Sequence, residues 1–516
     1  ATGVEKMAYL PAALFSTAIS KGYHALTDPD YSHLSLYVDE TPFLADARII
    51  NRAIDPINSK WRTVLVGGLG RGGRGVYALD VTVPDELADK SKASQTVLWE
   101  FNSDDDANLG YTHSRPFVAY LNNGKWAAIF GNGIDDTGSG EAQLFIVYLD
   151  GPGADGIWDL GTDYRRISTN IGSSTERNGV FTPKAVDVDG NGTTDLVYAG
   201  DLYGNLWRFD LSRPNATDWE RPAAPLFAGS KQRPITSEPL IVSPPTSVTD
   251  IVGDGGRMVF FGTGRFLVDG DKTDINEQHY YGLYDQTTPK YPVPSSALIE
   301  ITDLTLTDLV KQTFIGSVAA GGRVTNPDLV VNYTNETTST LTNKFGWYID
   351  FPSTGERVIA RSKPRKGHVL FNTIIPDRSA CSSSGDGNEW TVRMYNGGSA
   401  LTPQFDFNGD GRIDAADGVV VDGRTVGYAA RKLEGKGLLT GPSVIGNVRF
   451  APSSGAKKTV DMRQTALLGS SAESGRLSWG QLAPREDTEP TPPGDPTPGP
   501  APTIGPTISL CPPTCG

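Results

Sequence analysis

One pattern recurs along this chain and limits what it can fold into. An apolar run closes on glycine or a polar turn, and a second run rich in aromatic residues follows. Residues 63–68 precede 75–80, 126–131 precede 143–150, 196–201 precede 204–210, and 258–262 precede 279–285. A weaker copy pairs 369–372 with 390–395. Runs of β-branched and aromatic residues bounded by Gly and Asp predict antiparallel hairpins. The runs are continuously apolar rather than alternating, so both faces of each hairpin need cover. Near-regular repetition supplies that cover by stacking one unit on the next, and a radial stack of small sheets is a β-propeller. Helical patterning is sparse, with 11–20 and 427–435 as the candidates. A long irregular insertion is expected between 289 and 342.

The chain has 516 residues, of which 38% are apolar, and a net charge of −14. There is no cationic excess to contact phosphates, which excludes a nucleic-acid partner. No apolar run reaches the roughly 20 residues that cross a bilayer, so no transmembrane segment is expected. The first residue is not Met and no basic-then-apolar leader opens the chain, which reads as the later part of a longer exported protein. Three cysteines, Cys381, Cys511 and Cys515, do not make a disulfide scaffold. The last two can close a small loop in an oxidising compartment. Two regions follow: a propeller over 1–482 and a Pro-rich tail over 483–516, read as extended and disordered.

Two acidic loops carry the chemistry. The first runs Asp187, Asp189, Asn191, Thr193, Asp195; the second runs Asp406, Asn408, Asp410, Arg412, Asp414, with Asp417 three residues on. Each has oxygen side chains at positions one, three, five and nine and glycine at six. That spacing suits Ca2+, a hard cation taking six to eight oxygens at about 2.3–2.6 Å. Thr193 and Arg412 would contribute backbone carbonyls. Tyr198 stands where an EF-hand has its closing Glu, so Asp195 must close the first loop. The competing reading is a polar Asn-Gly turn, but three aspartates in nine residues repel one another without a cation. In the second loop Asp417 supplies an acid at position twelve, as in one half of a dockerin repeat.

The hairpin segments 61–70, 72–82, 109–116, 125–133, 198–211, 346–350 and 475–479 together resemble the C-terminal propeller of the PilC/PilY family of type IV pilus proteins. The resemblance spans roughly residues 20–482. It implies a modified seven-bladed propeller, related to quinoprotein dehydrogenases, with irregular insertions. It places the family's calcium site on Asp187, Asp189, Asn191, Thr193 and Asp195. It further implies a non-enzymatic protein at the cell surface, pilus tip or outer membrane. Such a protein acts in pilus biogenesis by opposing retraction, and in adhesion and twitching motility. The implied partners are pilins or minor pilins and a host-cell or abiotic surface. No Arg-Gly-Asp tripeptide occurs.

Rival readings are weaker. A calcium-dependent quinoprotein dehydrogenase uses adjacent cysteines at its cofactor, and this chain has none. An integrin-α-like adhesive propeller repeats its calcium loop from blade to blade, whereas the first loop here stands alone between strands. Asp136-Thr137-Gly138-Ser139 resembles an aspartic-protease segment, but the second carboxylate of that chemistry is missing. His24, His33, His113, His279 and His368 show no ligand spacing, and Asp104, Asp105 and Asp106 read as a solvated loop.

Overall fold

A computed structural model describes residues 5–15, 22–30, 36–252, 255–291, 299–315, 321–334, 343–379, 385–433, 437–445, 448–454 and 461–464. The expected tail, the three cysteines and the 475–479 segment lie outside the described residues. The first sheet contains β1 (Phe43–Ile49), β2 (Lys60–Gly68), β3 (Gly75–Asp80) and β4 (Val97–Asn102) in chain order. The second contains β5 (Phe117–Tyr120), β6 (Trp126–Gly131), β7 (Glu141–Tyr148) and β8 (Tyr164–Gly172). In the third, β9 (Lys184–Val186), β10 (Leu196–Gly200) and β11 (Leu206–Asp210) form a meander.

The fourth sheet is built on β12 (Leu240–Val242), β13 (Arg257–Gly262) and β14 (His279–Asp285). The region expected as an irregular insertion adds β15 (Val310–Lys311), which pairs in parallel with β17 (Gly346–Asp350) at the edge of this sheet. A fifth sheet joins β16 (Gly322–Arg323), β18 (Lys363–Arg365), β19 (His368–Pro376), β20 (Gly385–Arg393) and β23 (Ala430–Lys432). Between its strands, β21 (Gly418–Val421) and β22 (Arg424–Gly427) make a small hairpin; β24 (Ser443–Ile445), β25 (Val448–Ala451) and β26 (Asp461–Gln464) follow. Each of the five hairpins read from the sequence forms an antiparallel pair.

The core shows how the sheets stack. Side chains alternate between the two faces of a strand. Ala128 and Phe130 of β6, with Phe145 and Val147 of β7, pack against Val66, Val76, Trp99 and Phe101 of the first sheet. Their neighbours Ala127, Ile129, Leu144 and Ile146 pack the other way, against Val197, Ala199, Trp207 and Phe209 of the third. The alternation continues: Tyr198 and Leu206 meet Val259, Phe261 and Leu283, while Met258, Phe260, Tyr280 and Trp347 meet Phe371 and Trp390. The second, third and fourth sheets are therefore each a filling between two others. This is why every residue of β6, β10 and β13 is buried and the runs are continuously apolar. Edge strands of successive sheets touch one another, from β1 through β5, β9 and β12 to β18. This is the inner ring of a β-propeller.

The glycine that closes these runs has a steric cause. A Cβ at Gly131 would lie 2.1 Å from the Val180 carbonyl oxygen, and one at Gly262 would lie 2.4 Å from Val358 Cβ. At both points the chain leading into the next sheet crosses directly over the hairpin.

Two expectations are corrected. The described part of 427–435, residues 427–433, is not helical: Ala429 and Ala430 are buried, and β23 pairs with Glu389 and Trp390, while 434 and 435 lie outside the described residues. Burial between sheets overrides the local preference of alanine for helix. Asp106 is not solvated. It is buried, accepts from the Tyr164 hydroxyl and pairs with Arg166 at 2.5 Å. Over 11–20, the described part is one short 3-10 turn, Ala12–Leu14.

Candidate metal centre

The first acidic loop is the connection between β9 and β10. Val186 pairs with Leu196, so residues 187–195 bulge from the end of the hairpin. Gly190 and Gly192 take φ of 78° and 91°, in the left-handed region that glycine enters without strain. These turns let the chain fold back on its own acids. Asp187 accepts from Gly190 N at 2.7 Å with Oδ1 and from Gly192 N at 2.8 Å with Oδ2. Asp189 accepts from Asn191 N, and the Asn191 side-chain oxygen accepts from Thr193 N at 2.7 Å.

Asp195 closes the loop. It is 3% exposed, and its Oδ2 accepts from Val188 N at 2.7 Å. Burial pushes its carboxyl above the usual range, and the charges of Asp189 and Asp187 push the same way. The Val188 N–H and Asn122 act against this shift. Asp187, Asp189 and Asp195 each bring a carboxylate oxygen within 4.8 Å of the others. The donors are all hard oxygens and one acid is buried beside two more, so the residues fit a divalent hard cation. Asn191 and Thr193 lie in the same loop.

Asn122 was not found from the sequence. It sits between β5 and β6, 73 residues before Asp195, in an Asn-Asn-Gly turn whose sequence signals a hairpin and nothing about the acidic loop. Its amide donates to Asp195 Oδ1 at 3.2 Å and to the carbonyls of Thr194 and Leu211, and its oxygen accepts from Thr193 Oγ1 at 2.8 Å. Thr194 N also donates to the Tyr120 carbonyl at 2.9 Å. The loop is thus fastened to the neighbouring sheet, and whatever holds the loop also holds two sheets together.

The second loop repeats the opening. Asp406 accepts from Gly409 N at 2.7 Å and Gly411 N at 3.0 Å. Asn408 accepts from Asp410 N and Asp410 from Arg412 N. The closing differs. Asp417 is 1% exposed and accepts from Phe407, Asn408 and Asp414 backbone N–H groups. Asp414 caps the short turn Ala415–Asp417 through Ala416 N. Among the described residues, the groups of three acids or histidines with ligand atoms that close are the first loop and Glu277, His279 and Asp350; the second-loop acids are not gathered in this way. Asp136, the protease-like residue, accepts from Gly138 and Gly140 N within a turn.

Comparison with known proteins adds to this geometry. Residues 3–319 match the family described as the PilY1 beta-propeller domain. The chain belongs to the PilY1 propeller family. It is 32% identical over 423 residues to the type IV pilus biogenesis factor PilY1 homolog of Xylella fastidiosa (strain Temecula1), covering 77% of this chain and 25% of that protein. Against the type IV pilus biogenesis factor PilY1 of Pseudomonas aeruginosa (strain UCBPP-PA14) it is 30% identical over 460 residues, covering 80% and 36%. The chain therefore spans between a quarter and about a third of these curated relatives. The crystal structure of the Pseudomonas aeruginosa PilY1 C-terminal domain superposes with a TM-score of 0.63 at 26% identity, covering 90% of this chain and 89% of that one. The PilY1-like fold read from the hairpins is the fold found. No helix among the described residues is long and apolar enough to cross a membrane.

Proposed function

We propose that this PilY1-type propeller is a calcium-binding, non-enzymatic part of a type IV pilus biogenesis factor. It acts at the cell surface or on the pilus, with pilins or minor pilins as partners. The observation that carries the calcium reading is the gathering of Asp187, Asp189 and buried Asp195 in a loop fastened to the next sheet. Bound there, calcium would supply positive charge to three mutually repelling carboxylates. Asn122 and Thr194 would pass that order to the adjoining sheet. The ion then acts as a staple that keeps a partner-facing surface in one geometry. Asp406, Asn408, Asp410, Arg412, Asp414 and Asp417 form the second, weaker candidate site. Opposition to pilus retraction, surface adhesion and twitching motility are the expected outputs.

The test is genetic. Asp195→Ala is placed in the full-length protein of a piliated bacterium, and surface pili and twitching zones are measured. The reading expects fewer pili or altered motility at unchanged protein level. Normal pili and motility, with calcium binding lost in the purified variant, would remove the functional role of the site.

A further inference from the structure

A second group of ligand-type side chains lies on the fourth sheet, far along the chain from either acidic loop. β14 and β17 pair with His279 opposite Asp350 and Tyr281 opposite Tyr348. Glu277 lies two residues before His279 and is exposed, so the group opens to solvent on that side. His279 is 2% exposed, yet its Nε2 has no hydrogen-bond partner, and neither has Asp350 Oδ1. These two atoms are 3.1 Å apart, and Glu277 Oε2 is 3.7 Å from the same Nε2. At 3.1 Å a nitrogen and a carboxylate oxygen normally share a proton. Here neither atom has a hydrogen bond, to the other or to any further group, and the pair is an ion pair only where the ring is protonated.

We propose that Glu277, His279 and Asp350 form a binding site for a divalent transition-metal ion of the zinc type. Zinc takes nitrogen at about 2.0–2.1 Å and carboxylate oxygen at about 2.0–2.2 Å, which places neighbouring ligands of a tetrahedron about 3.4 Å apart. The two observed separations straddle that value. The other ring nitrogen, Nδ1, is 2.9 Å from the Tyr281 hydroxyl. A partner on the far nitrogen is what orients a metal-ligating imidazole. Burial holds the His279 ring below the ordinary histidine value and Arg233 pushes the same way, against the charge of Asp350.

The charges around the group bear on which ion it takes. Lys311 pairs with the outer oxygen Asp350 Oδ2, and Arg233 lies 3.7 Å from Glu277. These two cations offset the two carboxylates, so little net negative charge remains to attract a hard, hydrated ion. The imidazole supplies the selectivity, and imidazole favours zinc and its neighbours over calcium or magnesium. The site would therefore be chemically distinct from the acidic loops.

Titration of zinc into chelator-stripped protein in calcium-saturated buffer tests this by calorimetry. One zinc per chain is expected, unchanged in Asp195→Ala. His279→Ala should abolish it. Glu277→Gln, an exposed change that leaves the core intact, should weaken it. Tyr281→Phe should lower affinity by about 10–100-fold, the range for a partner that positions a ligand. Absence of zinc uptake by the wild-type protein, or uptake equal in wild type, His279→Ala and Glu277→Gln, would overturn the assignment.

Discussion

The two acidic loops begin alike and end differently. Asp187 and Asp406 each accept from two glycine N–H groups, and each loop carries a pair of left-handed glycines. In the first loop the closing acid, Asp195, is buried beside two further aspartates and held by Asn122 from another sheet. In the second, the closing acid Asp417 is buried among three backbone N–H donors. A carboxylate surrounded by N–H dipoles is satisfied by the protein itself. One crowded by other carboxylates carries a repulsion that a cation would relieve. Near-identical spacing therefore yields one loop with three gathered carboxylates, which the proposed function assigns to an ion, and one whose closing acid the backbone itself satisfies.

The largest contrast should come from the closing acids. Asp195→Ala should remove the tighter calcium site. With calcium at about a hundredfold over Kd, the lost stabilisation is about 2.7 kcal/mol, read by urea denaturation with and without chelator. Most of that difference should vanish in chelator. Asp417→Ala orphans three N–H groups and should cost about 1–3 kcal/mol whether or not calcium is present. A calcium-dependent cost at Asp417 equal to that at Asp195 would erase the distinction.

Asn122→Ala tests the fastening that only the first loop has. It should weaken calcium binding by about 1 kcal/mol, roughly fivefold in Kd, and leave the second loop unaffected. Gly192→Ala and Gly411→Ala, at φ of 91° and 83°, should cost about 1 kcal/mol each, since the turns are shared.

The smallest effect is in pH. In calcium-free protein Asp195 keeps its proton at a pH where the unfolded chain, with its ordinary carboxyl near 3.8, has lost it. The native state then binds more protons, so this group's contribution to stability falls as pH rises above about 4. Calcium requires the ionised form, so its binding should weaken in the opposite direction, as pH falls. Thermal melts across the acidic range, with and without calcium, should diverge as pH rises.

The hairpins, the glycines that close them and the acids of the first loop were legible because each is a local pattern. Gly131 and Gly262 mark their crossings within the run itself. Asn122 was not legible, because its role is set by contact between sheets 73 residues apart in sequence. Nor was the grouping of His279 with Asp350, which depends on the β14–β17 register. Asp106 misled because its partner, Arg166, lies 60 residues on. Residues 427–435 misled because burial, rather than propensity, decides the state of β23.

Calorimetric titration of calcium into chelator-stripped wild type, Asp195→Ala and Asp417→Ala tests the central claim most directly. The account predicts that the tightest binding step disappears in Asp195→Ala and survives in Asp417→Ala. Identical isotherms for wild type and Asp195→Ala would contradict it.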